Sequence, residues 1–412
     1  MEYGCIGEVL KHSFSAIIHP RLASYKYELK ELAPQEIEGF MNAKDFKAIN
    51  VTIPYKKTVM PYLDFIDPKA QEIGAVNTIV NRDGKLYGYN TDFWGLSLLI
   101  EKTGLSLEGK KVLILGTGGT SKTAVAVTES MGAGEILRVS RSGKDGAIDY
   151  NAAYNLHNDA NIIINTTPSG MYPEIAGCPI DIGAFKSLEG VIDAVYNPLC
   201  SRLVLAAKEK GIKASGGLYM LIAQAAKAVE HFIGKSVDIK KIDNIYADLT
   251  KEKQNIVLVG MPSSGKTTVG TALAESLNKT FIDTDQEIKK IIGMEIGEFF
   301  KLKGEAEFRK IESEVAKEVS KLQNAVISTG GGMILNRENI RYLKLNGKVY
   351  FLDRPLNLLI TTPDRPLSSN AADLERRYNE RYELYTSLSD AHIDASGTVE
   401  ENVNKICEDF LK

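Results

Sequence analysis

VLILGTGGTSKTA (Val112–Ala124) and IVLVGMPSSGKTTVG (Ile256–Gly270) are two glycine-rich loops of different design within one chain. Each loop follows a short apolar run that predicts a buried parallel strand, and each opens a stretch with helical periodicity. The glycine spacing of the first loop is typical of a dinucleotide site, and that of the second is typical of a nucleoside triphosphate site. We therefore expect two active sites and two reactions.

The length and composition of the chain limit the classes of protein it can belong to. At 412 residues it is too long for one ordinary core and predicts about two to three domains. Its contents of 44% hydrophobic and 25% charged residues are typical of a soluble globular protein. The net charge of −3 argues against nucleic acid as a partner.

Targeting and cysteine signals favour the cytoplasm. No segment has the pattern of a signal peptide, and no apolar run is long enough to predict a membrane partner. The four cysteines are far apart and form no CxxC pair, so we expect reduced, mostly buried thiols rather than disulfides or a zinc site. The sequence leaves the oligomeric state open.

Alternating strand and helix patterns predict an α/β fold. Asp83-Gly84 marks a hairpin between two strand-like runs, and from Lys110 onwards the pattern is that of a doubly wound parallel sheet. Gly234–Gln254 is polar and charged and is the best candidate for a linker, with the domain boundary near Leu249. Beyond it, strand, loop and helix patterns alternate again.

The first loop carries the residues of a dinucleotide-binding turn. Gly116 suits the tight turn, Gly118 suits close approach of a pyrophosphate, and Ser121 is small enough for helix–strand packing. The next strand ends in Ser140-Arg141-Ser142 rather than in an acidic residue, and Lys144 follows. Arg141 can meet a 2′-phosphate, so we expect NADP(H) rather than NAD. An exposed basic turn would have the same pattern.

Six motifs in the first half resemble shikimate dehydrogenase over residues 1–247. They are KHSFS (11–15), NVTIPYK (50–56), GAVNT (74–78), GYNTD (88–92), INTTPSGM (164–171) and GLYMLIAQ (217–224). The resemblance implies a substrate domain at about 1–95 and 218–249 and a Rossmann-type NADP domain at about 96–217, within a half that spans 1–249. It implies substrate contacts from Ser13, Ser15, Thr52, Lys56, Asn77, Asp92, Tyr196 and Gln224. It implies NADP contacts from Gly116, Thr117, Gly118, Gly119, Thr120, Ser140, Arg141, Ser142, Lys144 and Gly217.

Lys56 and Asp92 are the catalytic pair that this resemblance implies. Hydride delivery to the ketone of 3-dehydroshikimate builds negative charge on oxygen, and a lysine held by a carboxylate can supply the proton. Without the surrounding motifs, Lys56 would be an ordinary surface lysine with a buried stem. Ala16 and Pro20 depart from the family pattern near the serines, and Ser-Arg-Ser departs from its usual cofactor strand, so the strength of the NADP preference stays open.

The second loop, GMPSSGKT (260–267), matches the P-loop pattern in full and lies between a strand and a helix pattern. Its backbone amides are expected to wrap the phosphates of ATP, with Lys266 on the β and γ oxygens and Thr267 on Mg²⁺. The predicted ATP contacts are Pro262, Ser263, Ser264, Gly265, Lys266, Thr267, Thr268 and, from a later segment, Arg365.

Further motifs resemble shikimate kinase over about 255–412, which implies a P-loop α/β domain like the nucleoside monophosphate kinases. They are FIDTD (281–285), FRKIE (308–312), STGGG (328–332), DRPL (364–367) and RYELY (381–385). Asp283 and Asp285 are two apart at a predicted strand end, which would place both on one face. The spacing of Arg309 and Glu312 lets the acid hold the guanidinium.

The kinase resemblance implies a role for each of these residues. Asp285 accepts hydrogen bonds from the ring hydroxyls and serves as base. Lys266 is the second catalytic residue and contacts the phosphates. Arg309 and Arg381 hold the substrate carboxylate, and Gly331 offers its backbone. Asp283 supports the metal with Thr267, although it could equally be a strand-end cap. The lid around Arg365 is short and lacks a second arginine, so we expect weaker ATP affinity or base selectivity.

The resulting hypothesis is a bifunctional enzyme. It would reduce 3-dehydroshikimate to shikimate with NADPH and then phosphorylate shikimate with ATP, on the way to chorismate. One alternative is a ligand-sensing regulator built from degenerate enzyme domains, but the expected catalytic residues are all present. Another is a quinate-preferring, NAD-dependent first half, against which Arg141 argues.

Overall fold

Three β-sheets organise the chain in a computed structural model, which describes residues 1–10, 13–144, 146–359 and 371–412. Contacts divide these residues into two compact units. The first unit comprises Met1–Met171, Gly177–Asn197 and Ala206–Asp248. The second comprises Tyr172–Ala176, Pro198–Leu205 and Leu249–Lys412.

The first sheet of the first unit has six strands in the order β2-β1-β3-β5-β6-β4. The strands are β1 (Tyr3–Gly7), β2 (Tyr27–Glu31), β3 (Ala48–Val51), β4 (Phe65–Ile66), β5 (Thr78–Arg82) and β6 (Lys85–Tyr89). The helices in this part are α1 (Ser15–Leu22), α2 (Ile37–Ala43), α3 (Pro68–Ile73) and α4 (Thr91–Thr103). The predicted hairpin is confirmed: β5 and β6 pair antiparallel, and Asp83 and Gly84 both have positive φ at their turn.

The second sheet of this unit is all parallel, in the order β11-β10-β9-β7-β8. Its strands are β7 (Lys111–Leu115), β8 (Glu135–Val139), β9 (Ile162–Asn165), β10 (Gly190–Asp193) and β11 (Lys213–Ser215). The connecting helices are α5 (Gly119–Ser130), α6 (Tyr150–Leu156) and α7 (Arg202–Glu209). The strand order reverses beside β7, and such a reversal opens a crevice for ligands at the carboxyl ends of the strands.

Two further helices follow this sheet, α8 (Leu218–Ile233) and α9 (Ile239–Lys253). The expectation of a polar linker over Gly234–Gln254 was wrong for most of its length, because α9 occupies it. Ile242, Ile245 and Leu249 are buried on one face of α9, and their spacing of three and four residues is helical. The charged residues of the segment lie on the exposed face of α9, and they obscured the helical spacing of these apolar residues.

The sheet of the second unit is also parallel, in the order β13-β14-β12-β15-β16. Its strands are β12 (Asn255–Val259), β13 (Thr280–Asp283), β14 (Ala325–Ser328), β15 (Gly347–Asp353) and β16 (Ala391–Asp394). Its helices are α10 (Lys266–Leu277), α11 (Thr284–Ile292), α12 (Ile296–Val319), α13 (Arg337–Leu343), α14 (Ala371–Leu388) and α15 (Val399–Leu411). The central strand β12 is completely buried and leads directly into the P-loop.

Short 3₁₀ helices occur at Pro34–Glu36, Met60–Tyr62, Ile182–Ala184, Met333–Leu335 and Leu356–Leu358. None of the four cysteines forms a disulfide in the structure. The expectation that most of them are buried was wrong, since only Cys5 is buried and Cys178 is exposed. Among the described residues, no helix has the length and apolar character that crossing a membrane requires.

Candidate active sites

Lys56 and Asp92 form a close ion pair in the first unit. The ammonium of Lys56 donates to Oδ2 of Asp92 over 2.6 Å, and the two side chains are 19% and 11% exposed. Lys56 follows β3, and Asp92 lies in the first turn of α4, which Asn90 caps by accepting from the amide of Phe93. The positive end of the helix favours a charged carboxylate there. The structure thus assembles a lysine and a carboxylate that can hold and move one proton.

Asn77 and Gln224 meet in a buried network of neutral polar groups. The amide Nδ2 of Asn77 donates to the hydroxyl of Thr91 over 3.1 Å and lies 3.5 Å from Oε1 of Gln224. Oδ1 of Asn77 accepts from the backbone of Thr91 over 2.7 Å. Thr91, which lies 3.3 Å from Oε1 of Gln224, joins the two predicted residues. The sequence analysis missed Thr91, although it lies within the quoted GYNTD motif.

The predicted serines precede and begin α1. Ser15 is the first residue of the helix, and its amide donates to the hydroxyl of Ser13 over 3.3 Å. Phe14 lies between them and packs edge-on against Tyr196, with ring centroids 5.2 Å apart. Burial raises the pKa of Tyr196, so its phenol stays protonated at neutral pH. The structure therefore brings the serine segment and the Tyr196 segment together.

Thr52 lies at the carboxyl end of β3, where its amide donates to the carbonyl of Ile6. A side chain at Gly7 would lie 2.6 Å from the methyl group of Thr52. Glycine is thus needed at this position for the ends of β1 and β3 to approach. Thr52 directly follows β3, and Lys56 follows it within the same loop.

Behind the serines, His19 anchors α1 in an aromatic cluster. The imidazole is completely buried, stacks on Tyr27 at 3.8 Å, and has Nδ1 2.7 Å from the hydroxyl of Tyr25. Burial lowers the pKa of His19 to about 3, although a hydrogen bond with Asn50 opposes this shift. Tyr27 in turn donates to Oδ1 of Asn50 over 2.7 Å. The sequence analysis assigned His19 no role.

The loop between β7 and α5 has the geometry of a dinucleotide cradle. Gly116 has φ 108°, and a Cβ there would lie 2.9 Å from the hydroxyl of Thr166. A Cβ at Gly118 or Gly119 would meet no atom within 4 Å, so this side of the loop is open. Ser121 is buried and donates to the carbonyl of Gly116 over 2.7 Å. The open backbone at the amino end of α5 fits a pyrophosphate.

The remaining predicted cofactor residues lie around this loop. Thr117 is within it, and Thr120 lies in the first turn of α5. Ser140 to Lys144 follow β8, where Arg141 and Lys144 are exposed and Ser140 accepts from the amide of Gly143 over 3.1 Å. Gly217 precedes α8, and a side chain there would collide with the carbonyl of Ala194. Exposed basic groups after β8 fit a 2′-phosphate.

In the second unit, the predicted kinase residues line one cavity of about 700 Å³. Those lining it are Pro262, Ser263, Gly265, Lys266, Thr267, Thr268, Asp283, Asp285, Arg309, Gly331 and Arg381. Ser264 is buried behind the loop instead. Arg365 lies outside the described residues, as does most of the short lid on which the prediction about ATP selectivity depended.

The P-loop closes around its own lysine. The ammonium of Lys266 donates to the carbonyls of Gly260 and Met261 over 2.9 and 2.8 Å. Gly265 has φ 90° and Ser263 has φ 64°, so the loop curls and exposes its amides. Thr268 follows in the first turn of α10. This concave set of amides at a helix N-terminus, with a buried cation, fits a triphosphate.

The expectation that Asp283 and Asp285 lie on one face of a strand was wrong. Strand β13 ends at Asp283, which caps α11 by accepting from the amide of Asp285 over 3.0 Å. Asp285 lies in the first turn of that helix. Asp283 also accepts from the hydroxyl of Thr267 over 2.9 Å, so two oxygen ligands of the kind Mg²⁺ prefers lie together. No larger metal-ligand cluster of His, Cys, Asp and Glu occurs in the described residues.

Arg309 is held by two acids. Its Nη1 donates to the buried Glu312 over 2.8 Å, as the spacing predicted, and its Nη2 donates to Glu305 over 2.9 Å. Burial raises the pKa of Glu312, while Arg309 beside it acts in the opposite direction. Burial also works to lower the pKa of Arg309, but Glu312 and Glu305 raise it overall. The sequence analysis missed Glu305.

The three glycines of STGGG each lie against a different functional group. A side chain at Gly330 would collide with Asp285, and one at Gly332 would collide with Arg309. A Cβ at Gly331 would lie 2.9 Å from the ring of Pro262 in the P-loop. Bare backbone therefore lets the acid, the arginine and the P-loop approach one another.

Arg381 is buried on α14 and faces this glycine run. Its Nη1 donates to the carbonyl of Gly331 over 2.9 Å, and the hydroxyl of Tyr385 donates to the same carbonyl over 2.6 Å. Arg377, one helical turn earlier, also lines the cavity. The sequence analysis missed Arg377, because it lies outside the quoted motif.

Comparisons with known proteins relate the chain to two families. The chain matches the family model for the shikimate dehydrogenase substrate binding domain over residues 5–79, and that for shikimate kinase over residues 262–411. Shikimate dehydrogenase (NADP(+)) of Clostridium perfringens strain ATCC 13124 is 36% identical over 264 residues, which are 60% of this chain and 97% of that protein.

Two solved structures are similar to the first unit. Shikimate dehydrogenase 1 from Peptoclostridium difficile is 36% identical with a TM-score of 0.56, over 60% of this chain and 98% of that one. Shikimate 5-dehydrogenase from Thermus thermophilus, in complex with NADP(H) and shikimate, is 25% identical with a TM-score of 0.55, over 60% of this chain and 99% of that one. The predicted fold class is confirmed. The chain therefore belongs to the shikimate dehydrogenase family, and its second half is a shikimate kinase domain.

Proposed function

We propose that the chain catalyses two successive reactions of aromatic biosynthesis. In the first, NADPH reduces 3-dehydroshikimate to shikimate, and in the second, ATP phosphorylates shikimate to shikimate 3-phosphate. The observation that carries the proposal is that one chain assembles the Lys56–Asp92 pair beside neutral hydrogen-bonding groups, and an arginine-rich cavity beside a P-loop. The family relationships of both halves support it.

For the reduction, we propose that the neutral groups orient the acid substrate and that Lys56 handles the proton. NADPH bound on the loop before α5 supplies the hydride. As negative charge builds on the ketone oxygen, the ammonium of Lys56 donates a proton to it, and in the oxidation direction the amine accepts one. Asp92 holds Lys56 in place over 2.6 Å. Ser13, Ser15 and Thr52 bind the substrate, together with the network of Asn77 and Gln224.

For the phosphorylation, we propose that the second cavity works by positioning and charge neutralisation. MgATP would supply the phosphoryl group, and Thr267 and Asp283 would hold the metal. Lys266 exchanges its two carbonyl acceptors for phosphate oxygens. Arg309 and Arg381 hold the carboxylate of shikimate, and Asp285 accepts the proton of the attacking hydroxyl. Water exclusion strengthens each of these contacts.

The two alternatives are less well supported. A ligand-sensing regulator has no need of an intact Lys56–Asp92 pair and an intact P-loop lysine in the same chain. A quinate-preferring, NAD-dependent first half is not favoured by relatives named for NADP(+) and shikimate. Initial rates with NADPH against NADH, and with shikimate against quinate, separate these possibilities.

A coupled assay on the whole chain tests the proposal. Purified protein is given 3-dehydroshikimate, NADPH and MgATP, and shikimate 3-phosphate is followed by mass. Omitting NADPH should stop all product, whereas omitting ATP should leave shikimate. Absence of NADPH oxidation would refute the first activity, and accumulation of shikimate with ATP present would refute the second.

We further propose that the chain works in the cytoplasm on small molecules, without nucleic acid or membrane partners. The net charge of −3 supports this proposal, because it provides no excess of basic groups for a polyanion or an anionic lipid surface. Fractionation of cells that express the tagged chain would test its location. Recovery in the membrane pellet would contradict it.

A further inference from the structure

Groups of the second unit surround the guanidinium of Arg309. Nε and Nη2 both donate to the same oxygen of Glu305, over 3.2 and 2.9 Å. Nη1 donates to Glu312 over 2.8 Å. Gly332 lies so close to Nη1 and Nη2 that no side chain would fit between them. The edge of the guanidinium formed by Nε and Nη2 therefore faces Glu305, and the end formed by Nη1 and Nη2 faces the backbone of Gly332.

A carboxylate pairs best with arginine through two parallel hydrogen bonds along one edge. The edge made by Nε and Nη2 is the one that Glu305 holds, because Gly332 abuts the other pair of nitrogens. An acid ligand that enters the cavity and pairs with this edge must therefore displace Glu305. The carboxylate of Glu305 stands where a ligand carboxylate would.

Glu305 and Glu312 differ in how tightly the fold holds them. Glu312 is 2% exposed, whereas Glu305 is 59% exposed. Glu305 directly follows Gly304, whose φ of 80° and ψ of 173° interrupt helix α12. Glu305 thus starts a new helical segment and its side chain has solvent beside it. It can leave Arg309 for water, while Glu312 stays in place and keeps the guanidinium oriented.

We propose that Glu305 is an internal substitute for the substrate carboxylate. Glu305 releases Arg309 when the substrate binds, and it pairs with Arg309 again after the product leaves. This inference rests on the proposed kinase function and on shikimate as its acid substrate. Between binding events, the pair keeps Arg309 neutralised and correctly placed. In return, every binding event includes the loss of the Glu305–Arg309 contact, so Glu305 weakens the apparent affinity for shikimate.

The expected size of this effect follows from the exposure of the pair. Exposed ion pairs change an equilibrium by about 1.4- to 5-fold, and those separated by four residues on a helix by about 2-fold. Removing the charge of Glu305 should therefore lower the KM and the Kd for shikimate by about 2-fold. The KM for ATP should not change, because Glu305 does not line the cavity that contains the P-loop and lines instead a smaller pocket with Arg377 and Arg381.

The experiment compares Glu305→Gln with Glu307→Gln in the full chain. Glu307 lies on the same helix, is 50% exposed and pairs with Lys310 over 2.6 Å, so its change removes an equivalent charge away from Arg309. Kinase KM values for shikimate and ATP and the Kd for shikimate by calorimetry are measured for each. We expect a lower shikimate KM and Kd for Glu305→Gln and unchanged values for Glu307→Gln. An unchanged or raised shikimate KM and Kd in that variant would overturn the inference.

A second variant and an internal control keep the outcome interpretable. Glu305→Asp retains the charge but is too short to keep both contacts, so it should also lower the shikimate KM. The dehydrogenase rate of the same preparations reports whether each variant is folded. If Glu305→Gln binds shikimate no better than the wild type while the wild type phosphorylates shikimate, the inference fails and the kinase function stands. If the wild type does not phosphorylate shikimate, the proposed kinase function fails and the inference fails with it.

Discussion

The site around Lys56 and Asp92 in the first unit and the cavity of the second unit are proposed to bind the same small acid with different chemistry. In the first, Asn77, Thr91 and Gln224 form a buried network of neutral groups, and the close ion pair Lys56–Asp92 is assigned to proton transfer. In the second, Arg309 and Arg381 supply full positive charges, and Glu312 and Glu305 balance one of them.

The difference follows from the reaction each site must perform. A hydride transfer requires one oxygen to gain a proton, so additional fixed charges near the ring would perturb the lysine that supplies it. A phosphoryl transfer brings several negative charges together, so cations around the cavity lower the barrier directly. Variants of each site should therefore fail in different ways.

The largest effect is expected from the two lysines. Lys56→Ala should lower kcat for reduction by about 10²- to 10⁴-fold, because it removes the proton donor, while phosphorylation continues. Lys266→Ala should abolish phosphorylation and leave reduction intact. Both rates are measured on each purified variant. Loss of both activities in either variant would contradict independent sites.

Arg381→Leu should have the next largest effect. Removing a charge-assisted hydrogen bond is worth about 1.5–3 kcal/mol, so kcat/KM for shikimate phosphorylation should fall by about 10- to 150-fold. The carbonyl of Gly331 would keep its hydrogen bond from Tyr385. Arg376→Leu is the matched control, since that side chain is 62% exposed on the same helix. Equal losses in the two variants would argue against carboxylate binding by Arg381.

His19 should make the first unit sensitive to acid. The pKa of His19 is about 3 in the folded state and 6.5 in the unfolded chain. As the pH falls, the unfolded state therefore binds a proton at a higher pH than the folded state does. The contribution of His19 to the free energy of unfolding is present above pH 6.5 and is lost as the pH falls towards 3. Between pH 7.5 and pH 5 this loss is about 2 kcal/mol. The phenols of Tyr25 and Tyr27, whose pKa values burial raises, stay neutral throughout this range.

His19→Phe keeps an aromatic ring in the cluster and removes this titration. Trp94 is the single tryptophan of the chain and lies in the first unit, so its fluorescence during urea unfolding reports that unit. The wild type should lose more stability than the variant between pH 7.5 and pH 5. Parallel losses would show that other groups cause the acid sensitivity.

Thr91→Val should have the smallest effect of the four. It removes the hydroxyl that joins Asn77 to Gln224 and leaves buried polar groups without that partner, at a cost of about 1–2 kcal/mol. The KM for 3-dehydroshikimate should rise by about 5- to 30-fold with little change in kcat, since the Lys56–Asp92 pair is intact. Thr91→Ser, which retains the hydroxyl, should stay near the wild type. A fall in kcat alone would contradict a positioning role.

The fold class and much of the geometry of the candidate sites could be predicted because local patterns determine them. Glycine spacing, strand runs and the Asp83-Gly84 turn each depend on a few neighbouring residues. The predictions that were wrong depended on residues outside the local pattern. Asp285 has a strand-like spacing from Asp283, but a helix begins between them and the capping of that helix decides where Asp285 points. The charges of α9 concealed three buried aliphatic residues on its other face.

The residues that were missed act through distant partners. Thr91 matters because Gln224 folds back to it across 133 positions of sequence, and no local pattern signals such a contact. Arg377 lines the cavity because α14 packs beside the glycine run. Glu305 is the exception, because its spacing of four residues from Arg309 is the usual one for a helical ion pair and could have been noticed.

The crowded glycine run of the kinase cavity limits how this enzyme can evolve. Because Gly330, Gly331 and Gly332 each abut a different working group, a side chain at any of the three would have to displace that group. A change of acceptor molecule would have to come from elsewhere in the cavity lining, where Ile296 and Phe300 carry side chains. Libraries that diversify those two positions should yield new acceptors more often than libraries built on the glycines.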